Sequence, residues 1–329
     1  MVRTLLWTLL PSLVAAAALQ TRGDSSFDYD SLSLRTVGSR NTLEWRVWLE
    51  KNGHPISFWH DVPLYPDENN KRIVNFVVEI PRWEDGKIEI RRQEPLNPIF
   101  HDDRNGLPRF VESIFPLKSY PFLYGSIPQT WESPNLDHDF TNAPGDNDPI
   151  DLFDIGQDIG YIGQVKQVKI LGALAPNDGG ETDWKVLGID VNDPIAPLVD
   201  DFEDLELYRP GLLQSYRDWF TYYKVARGDD RIPIIGDTYQ NSSYAASVVE
   251  KGHEYWLDLI KGAVDTNKIN YNQTSRPDIR ESYVSRCEAT LRLGLPAESD
   301  EGPAAPKLER FNQWFYLDSE FKLIEENVA

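Results

Sequence analysis

Hydrophobic and polar residues alternate along several short stretches in the first two thirds of the chain. In one of them, Leu43, Trp45, Val47 and Leu49 occupy every second position. A period of two is typical of a β-strand with one buried face, so residues 42–49 are predicted to form a strand. The same reasoning predicts strands at residues 73–80, 87–91, 165–171 and 184–191. Because glycine and proline separate these short strands, we expect a closed or nearly closed β-barrel.

The hydrophobic spacing changes to three and four residues after Pro197. That period is typical of amphipathic helices, and it predicts helices over residues 203–208, 212–223 and 244–260. Residues 263–310 are polar and contain proline and glycine, so they are predicted to form a loop or a tail. The aromatic run at residues 314–317 predicts a short strand. The pattern as a whole predicts a mainly β fold with flanking helices (an α+β protein).

The first eighteen residues follow a different pattern. Leu5 to Ala18 is almost wholly apolar, follows a short basic start at Arg3, and ends in alanines that offer A-x-A cleavage frames. This predicts a secretory signal peptide over residues 1–18, followed by a flexible segment over residues 19–40. Asn241 and Asn272 begin glycosylation sequons in polar, looped regions. We therefore expect a secretory or extracellular location, with a mitochondrial presequence as the alternative and an uncleaved signal anchor third.

The amino-acid composition limits the partners and the metal ligands that this chain can have. The 329 residues include 33 Lys and Arg against 53 Asp and Glu, a net charge of -20. Such a surface repels nucleic acids and anionic membranes, so we expect neither as a partner once the leader is removed. Cys287, the single cysteine, excludes an intramolecular disulfide and is expected to be at least half-buried. The five histidines lack metal-ligand spacing, which leaves oxygen-liganded Mg²⁺, Mn²⁺ or Ca²⁺.

Three carboxylates fall within six residues in the run Asp146-Asn147-Asp148-Pro149-Ile150-Asp151. On an extended chain Asp146 and Asp148 would share one face, and carboxylates that close require a cation or protons between them. An acidic turn explains the run equally well. An EF-hand loop does not, because Asp151 stands where that loop requires glycine.

Four further groups of residues each have an ordinary explanation when taken alone. They are a glycine-rich acidic hairpin, a charged strand face, an arginine beside two phenols and a lysine at a helix end. Their members are Asp178, Asp183 and Lys185; Glu79, Arg82, Lys87 and Glu89; Arg109, Tyr120 and Tyr124; and Tyr223 and Lys224. Together they supply what phosphoryl transfer needs: carboxylates for metal ions, cations for phosphate oxygens and phenols as hydrogen-bond donors. The sequence contains neither a GxxxxGK[ST] loop nor a GxSxG elbow.

These segments resemble the family I soluble inorganic pyrophosphatases, in particular their eukaryotic, fungal-type branch. The resemblance runs from about Asn41 to about Tyr223, with weaker similarity beyond. It is carried by Asn41-Thr42-Leu43-Glu44, Val78-Glu79-Ile80-Pro81-Arg82-Trp83, Gly145 to Asp151, Gly163-Gln164-Val165-Lys166 and Glu181 to Lys185. It places the pyrophosphatase barrel and helices at residues 41–262 and leaves 263–329 as a C-terminal extension. It also implies a five-stranded OB-like closed barrel and a homodimer.

The resemblance implies a role for each candidate residue. Asp146, Asp151, Asp183, Asp178 and Glu89 would hold several Mg²⁺ ions, for which Mn²⁺ could substitute, and Asp148 would activate the attacking water. The phosphates would be bound by Lys87, Arg109, Tyr124, Lys185, Tyr223 and Lys224, while Glu79 and Tyr120 would be further active-site residues. One departure is Gly179, since eukaryotic members of the family tend to be acidic just after Asp178.

The implied activity is hydrolysis of inorganic pyrophosphate by direct attack of water, without a covalent phospho-enzyme. Two alternatives stay open at this point. One is a Mg²⁺-dependent hydrolase of another phosphorylated substrate. The other is a non-catalytic secreted relative that binds divalent cations, although such a protein would not need Lys87, Arg109 and Lys224.

Overall fold

A computed structural model describes residues 27–324, so the predicted signal peptide lies outside the described residues. The first ten strands are β1 (Leu32–Val37), β2 (Arg46–Lys51), β3 (His54–Ile56), β4 (Ile73–Ile80), β5 (Ile88–Ile90), β6 (Ile99–His101), β7 (Asp103–Arg104), β8 (Leu107–Pro108), β9 (Ser113–Ile114) and β10 (Leu123–Ser126). They are followed by β11 (Asp137–His138), β12 (Ala143–Pro144), β13 (Asp151–Asp154), β14 (Val165–Leu174), β15 (Asn177–Asp178), β16 (Glu181–Thr182), β17 (Lys185–Asp190), β18 (Gln240–Asn241) and β19 (Trp314–Phe315). The α-helices are α1 (Leu205–Tyr208), α2 (Leu212–Tyr222), α3 (Ser242–Ile260) and α4 (Ala289–Arg292).

Five of these strands close into a barrel. They follow the order β17-β13-β10-β4-β14, and β14 pairs back with β17. The pairing of β13 with β17 is parallel, and the other pairings in the barrel are antiparallel. Closure leaves these five strands without a free edge inside the barrel. The predicted mainly β fold with a closed five-stranded barrel is thus confirmed.

A second sheet contains β1, β2, β6 and β5 in that order, with β3 also paired to β2. The prediction of a flexible segment over residues 19–40 is wrong for residues 32–37, because β1 pairs with β2 along its whole length. Leu32 and Leu34 of β1 pack against the main hydrophobic core. Their spacing of two was a strand signal, but only two apolar residues carry it.

Helices α2 and α3 cover the barrel. Phe220 of α2 is buried and stacks on Phe122, with ring centroids 5.0 Å from Phe153 and 5.1 Å from Phe122. Val248 and Val249 of α3 are buried in a second cluster with residues of β14. The predicted helices over 212–223 and 244–260 are confirmed. The predicted helix over 203–208 instead begins with a 3₁₀ turn, Phe202–Asp204, before α1.

Residues 263–310 have little regular structure but do not form a loose tail. Ile269 and Ile279 belong to the main core, and the buried Asp61 carboxylate accepts a hydrogen bond from the Thr274 amide at 2.7 Å. This packing depends on residues far apart in sequence, which the local pattern could not reveal. Cys287 is exposed, so the expectation of a buried thiol is wrong. Within residues 27–324, no helix combines the length and apolarity required to span a bilayer.

Candidate active site

The ends of four barrel strands meet at one mouth of the barrel. Asp151 and Lys185 are the first residues of the parallel strands β13 and β17, and they face each other in register. Glu79 is next to the last residue of β4, and Tyr124 of β10 pairs with the final residue of that strand. The closed barrel therefore brings two carboxylates, an amine and a phenol together from segments that span more than a hundred residues of sequence.

The acidic run forms a tight turn above this mouth. Asn147 has a φ of 73°, so the chain is not extended here, and the condition under which Asp146 and Asp148 would share one face of a strand is not met. The turn is instead held by the Asp148 amide, which donates to Asp146 Oδ1 at 3.0 Å, and by Trp131 Nε1, which donates to Asn147 Oδ1 at 3.1 Å. Both carboxylates nevertheless line the same cavity.

Ion pairs link the carboxylates to lysines at the bottom of the cavity. Lys185 Nζ lies 2.5 Å from Asp151 Oδ2 and also contacts Asp183. The Tyr124 hydroxyl donates to the same Asp151 oxygen at 2.5 Å. Lys87 Nζ lies 2.9 Å from Glu89 Oε2. Charges of both signs are therefore present side by side before any ligand binds.

The rim of the cavity is built by loops and by the end of α2. Arg109 Nη1 lies 2.9 Å from Asp102 Oδ2. Tyr223 caps the C-terminus of α2, where its ring stacks on Trp219 with centroids 4.6 Å apart. The next residue, Lys224, forms an ion pair with Asp178, which lies on the short β15–β16 hairpin. The glycine-rich acidic segment thus forms a hairpin, as expected from its turn residues. It also places the Asp178 carboxylate in the cavity.

The fourteen residues to which the resemblance gives a role all line one cavity of about 320 Å³, whereas Arg82, grouped with Glu79 and Lys87 in the sequence, is not among its lining residues. Their roles stay predictions, because position alone does not assign them. The members are Glu79, Lys87, Glu89, Arg109, Tyr120, Tyr124, Asp146, Asp148, Asp151, Asp178, Asp183, Lys185, Tyr223 and Lys224. Six further residues line the cavity but received no predicted role: Ile90, Arg92, Asp102, Pro149, Trp219 and Phe220.

Burial and mutual repulsion shift the acid–base behaviour of the carboxyl groups. Burial, reinforced by the charge of Asp183, holds the pKa of Asp146 well above its usual value. Partial burial also raises the pKa of Asp148 to about 7, although Arg92 acts in the opposite direction. Burial alone would lower the pKa of Lys185, but the carboxylates of Asp151 and Asp183 outweigh it and hold that pKa well above the ordinary value. These carboxyl groups therefore hold their protons more strongly than usual, and a bound cation would favour their ionised form.

Comparison with known proteins identifies the family. The family model described as inorganic pyrophosphatase matches residues 76–257. The chain belongs to the inorganic pyrophosphatase family. An inorganic pyrophosphatase of Zygosaccharomyces bailii is 44% identical over 286 residues, covering 86% of this chain and 97% of the relative. One from Schizosaccharomyces pombe is 43% identical over 285 residues, 86% of this chain and 96% of the relative.

Solved structures of other pyrophosphatases share the fold. The inorganic pyrophosphatase of Schistosoma japonicum matches with a TM-score of 0.80 and 36% identity, over 87% of this chain and 99% of that one. A Trypanosoma cruzi vacuolar soluble pyrophosphatase without its N-terminal domain, solved in complex with PPi, matches with a TM-score of 0.65 and 33% identity. That match covers 79% of this chain and all of the other, 100%.

A pyrophosphatase requires a place for divalent cations, and the residues here fit one. Carboxylate oxygens of Glu132, Asp146 and Asp183 lie within 4.8 Å of one another. Glu132 is buried, its Oε1 accepts the Trp184 amide at 2.9 Å, and its Oε2 has no hydrogen-bond partner. An unsatisfied carboxylate oxygen beside two more carboxylates is the donor set that a hard, oxygen-preferring cation takes.

Glu132 is a residue that the sequence reasoning missed. It precedes the acidic run by fourteen positions of sequence and carries no local motif, so nothing in its neighbourhood singled it out. In the fold its backbone pairs with the acidic turn, because the Glu132 amide donates to the Asp148 carbonyl at 2.9 Å and its carbonyl accepts the Asn147 amide at 3.0 Å. Only that pairing brings its side chain to the cluster.

Proposed function

We propose that the chain hydrolyses inorganic pyrophosphate to two phosphates with Mg²⁺ as the activating ion. One observation carries the proposal: a single cavity joins a carboxylate cluster to Lys87, Arg109, Lys185 and Lys224. A simple cation binder needs only the carboxylates, whereas an enzyme acting on a polyanion also needs the basic side chains. The names of the relatives, all inorganic pyrophosphatases, support the same substrate.

Within this proposal, different carboxylates would bind different metal ions. Asp146, Asp151 and Asp183 would hold the activating ion, while Glu89, Asp178 and Asp183 would hold ions that accompany the substrate. Bound divalent cations lower the pKa of water and neutralise phosphate oxygens. Mg²⁺ suits an all-oxygen donor set, for which Mn²⁺ is also suitable.

The chain's own side chains then act on the water and the substrate. Asp148 accepts a proton from the attacking water, whose oxygen bonds to one phosphorus as the bridging oxygen leaves with the other phosphate. Lys87, Arg109, Lys185 and Lys224 offset the charge on the phosphate oxygens, and Tyr124 and Tyr223 donate hydrogen bonds. Glu79 and Tyr120 shape the wall between these groups.

An activity assay tests the proposal. The purified chain should release phosphate from pyrophosphate with Mg²⁺ and lose this activity in EDTA. Asp148→Asn should lower kcat by roughly 100- to 10,000-fold, the usual contribution of a general base. Full activity in EDTA, or an unchanged kcat for Asp148→Asn, would refute the assigned chemistry. A panel of nucleotides, phosphate esters and polyphosphate separates pyrophosphate from other phosphorylated substrates.

We also propose that the protein forms a homodimer through an exposed aromatic patch. The patch consists of Phe115, Trp314 and Tyr316, which are 57%, 41% and 38% exposed. The ring of Phe115 lies 5.8 Å from that of Trp314 and 5.6 Å from that of Tyr316. Contiguous exposed aromatic residues are typical of protein interfaces. Light scattering coupled to size-exclusion chromatography measures the mass, and a monomer at micromolar concentration would contradict the proposal.

The location is proposed from the sequence. The apolar leader over residues 1–18 and the sequons at Asn241 and Asn272 favour the secretory pathway over mitochondria. Asn241 is exposed, and its Oδ1 accepts the Tyr244 amide at 2.8 Å, which leaves the side-chain nitrogen for a glycan. Sequencing the mature N-terminus, together with a glycosidase mobility test, decides the question. A start near Leu19 with attached sugar supports export, and a later start without sugar supports mitochondria.

A further inference from the structure

Arg92 lies in the candidate active site but has no role in the chemistry described so far. It follows β5 by two residues and lines the cavity beside Asp148. Its Nη1 lies 2.9 Å from Asp148 Oδ2 and 3.2 Å from the Asp146 carbonyl oxygen. One guanidinium nitrogen therefore joins the carboxylate of Asp148 to the backbone of the same turn.

The backbone of Arg92 is itself held in place. Its carbonyl accepts the Asn270 amide at 2.7 Å and the Asn97 side-chain nitrogen at 3.2 Å. Asn97 is fully buried and also donates to the Asn270 carbonyl at 2.9 Å. The backbone from which the guanidinium extends is thus held by hydrogen bonds to Asn270 and to the buried Asn97.

We infer that Arg92 is a positioning residue that fixes the carboxylate of Asp148 for proton transfer from the attacking water. This inference rests on the proposed hydrolysis of pyrophosphate. A carboxylate that can rotate freely spends only part of its time aimed at the water, and small misplacements of a reacting group are costly. With Oδ2 held by Arg92, the carboxylate keeps one orientation and directs its other oxygen away from the guanidinium.

If Arg92 and Asp148 formed only an ordinary surface ion pair, the effect of removing Arg92 would differ from that of a positioning role. The side chains of Arg92 and Asp148 are 31% and 36% exposed, so their attraction contributes little to stability. Removing it should leave the unfolding midpoint almost unchanged. A positioning role should lower kcat instead, with little change in KM, because the contact matters only when the water reacts.

The test compares Arg92→Gln with Arg91→Gln, in which the neighbouring arginine loses the same charge. Arg91 lies 4.4 Å from the centre of the Phe100 ring, outside the set of cavity-lining residues. Steady-state rates with pyrophosphate and Mg²⁺ should show kcat lowered roughly 10- to 100-fold for Arg92→Gln, with KM changed less than about twofold. Arg91→Gln should keep the wild-type rate. Arg92→Lys, which retains the charge and can make one contact, should recover part of the loss.

A double-mutant cycle with Asp148→Asn separates positioning from general damage. If Arg92 acts through Asp148, Arg92→Gln should lower the residual rate of Asp148→Asn by less than about twofold. Losses that multiply in the double variant overturn the inference, as does a raised KM with unchanged kcat, which would mean that Arg92 binds the substrate. If the wild-type chain releases no phosphate, the proposed hydrolysis fails. If Arg92→Gln alone retains the wild-type rate, only the inference about Arg92 fails.

Discussion

Lys185 lies between two carboxylates presented by its own segment and by the neighbouring strand. Its side chain is only 7% exposed, and its partners Asp151 and Asp183 are 16% and 13% exposed. In a buried cluster the loss of one partner leaves the others uncompensated, and this costs far more than breaking an exposed pair. Lys185 should therefore stabilise the fold before any cation or substrate binds.

Replacing Lys185 tests this role. Lys185→Met should lower the free energy of unfolding of the metal-free protein by about 3–5 kcal/mol at pH 7.5. Added Mg²⁺ should restore part of that loss, because a bound cation supplies the missing positive charge. Urea unfolding with and without Mg²⁺ measures both effects.

The control variant is Lys71→Met. In the wild type, the Lys71 amine pairs with Glu250 at 2.5 Å, and the two side chains are about half exposed, 56% and 44%. Solvent screens that exposed pair, so Lys71→Met should unfold almost like the wild type. Equal losses in the two variants would mean that Lys185 has no special role in the cluster.

Among the elements, β10 lies between β4 and β13 in the barrel. A Cβ added at Gly125 would lie 2.0 Å from the Val77 carbonyl oxygen and 2.8 Å from the Glu79 amide. The register of β10 against β4 shifts between Tyr124 and Gly125. Glycine at this position thus permits the close approach that places Tyr124 beside Glu79 in the cavity.

Gly125→Ala should disturb both the barrel and the site. The added methyl group meets backbone atoms, which cannot move aside as a side chain can, so we expect destabilisation of at least about 1–3 kcal/mol. Displacement of Tyr124 should also lower kcat/KM for pyrophosphate. Thermal unfolding and steady-state assays measure the two effects.

The control for Gly125→Ala is the same substitution at Gly302. Its added Cβ would meet only the Ser39 hydroxyl, at 2.6 Å, and that side chain can rotate. Gly302→Ala should therefore stay near wild type. Wild-type stability in Gly125→Ala would show that β10 can move away from β4.

At the scale of the whole molecule, residues 307–324 form a C-terminal strap that packs against β9 and the end of α2. Lys307 forms an ion pair with Asp85, and Arg310 Nη2 lies 2.8 Å from the buried Glu112 carboxylate. Strand β19 pairs with β9, and Phe321 stacks on Tyr222 with ring centroids 4.4 Å apart. The strap therefore connects the segment after Arg109 to the end of α2, which carries Tyr223 and Lys224.

Truncating the chain after Pro306 should weaken the binding of pyrophosphate. Glu112 would lose its cation, and the loop that carries Arg109 would lose its link to the end of α2. We expect KM for pyrophosphate to rise roughly 3- to 10-fold, consistent with the loss of about 1 kcal/mol of binding, while the barrel remains folded. Circular dichroism monitors the fold and steady-state assays measure KM. Unchanged KM in a folded truncated protein would mean that the strap does not contribute to substrate binding.

Local sequence determined the parts of this molecule that depend on short-range physics. Alternation at Leu43 to Leu49 and helical spacing after Leu212 predicted strands and helices, because side-chain periodicity follows directly from backbone geometry. The acidic run at Asp146 to Asp151 and its basic and phenolic partners were singled out by residue type and by the family resemblance. The fourteen that the resemblance gives a role line one cavity.

Tertiary structure alone decided the features that depend on distant pairing. Glu132 reaches the carboxylate cluster because its backbone pairs with the acidic turn, and Arg92 reaches Asp148 across more than fifty residues of sequence. The ordered packing of Ile269 and Ile279 likewise depends on surfaces contributed by other elements. The sequence supplied the reactive groups, while closure of the barrel set their distances, because contacts between distant segments leave no local pattern to read.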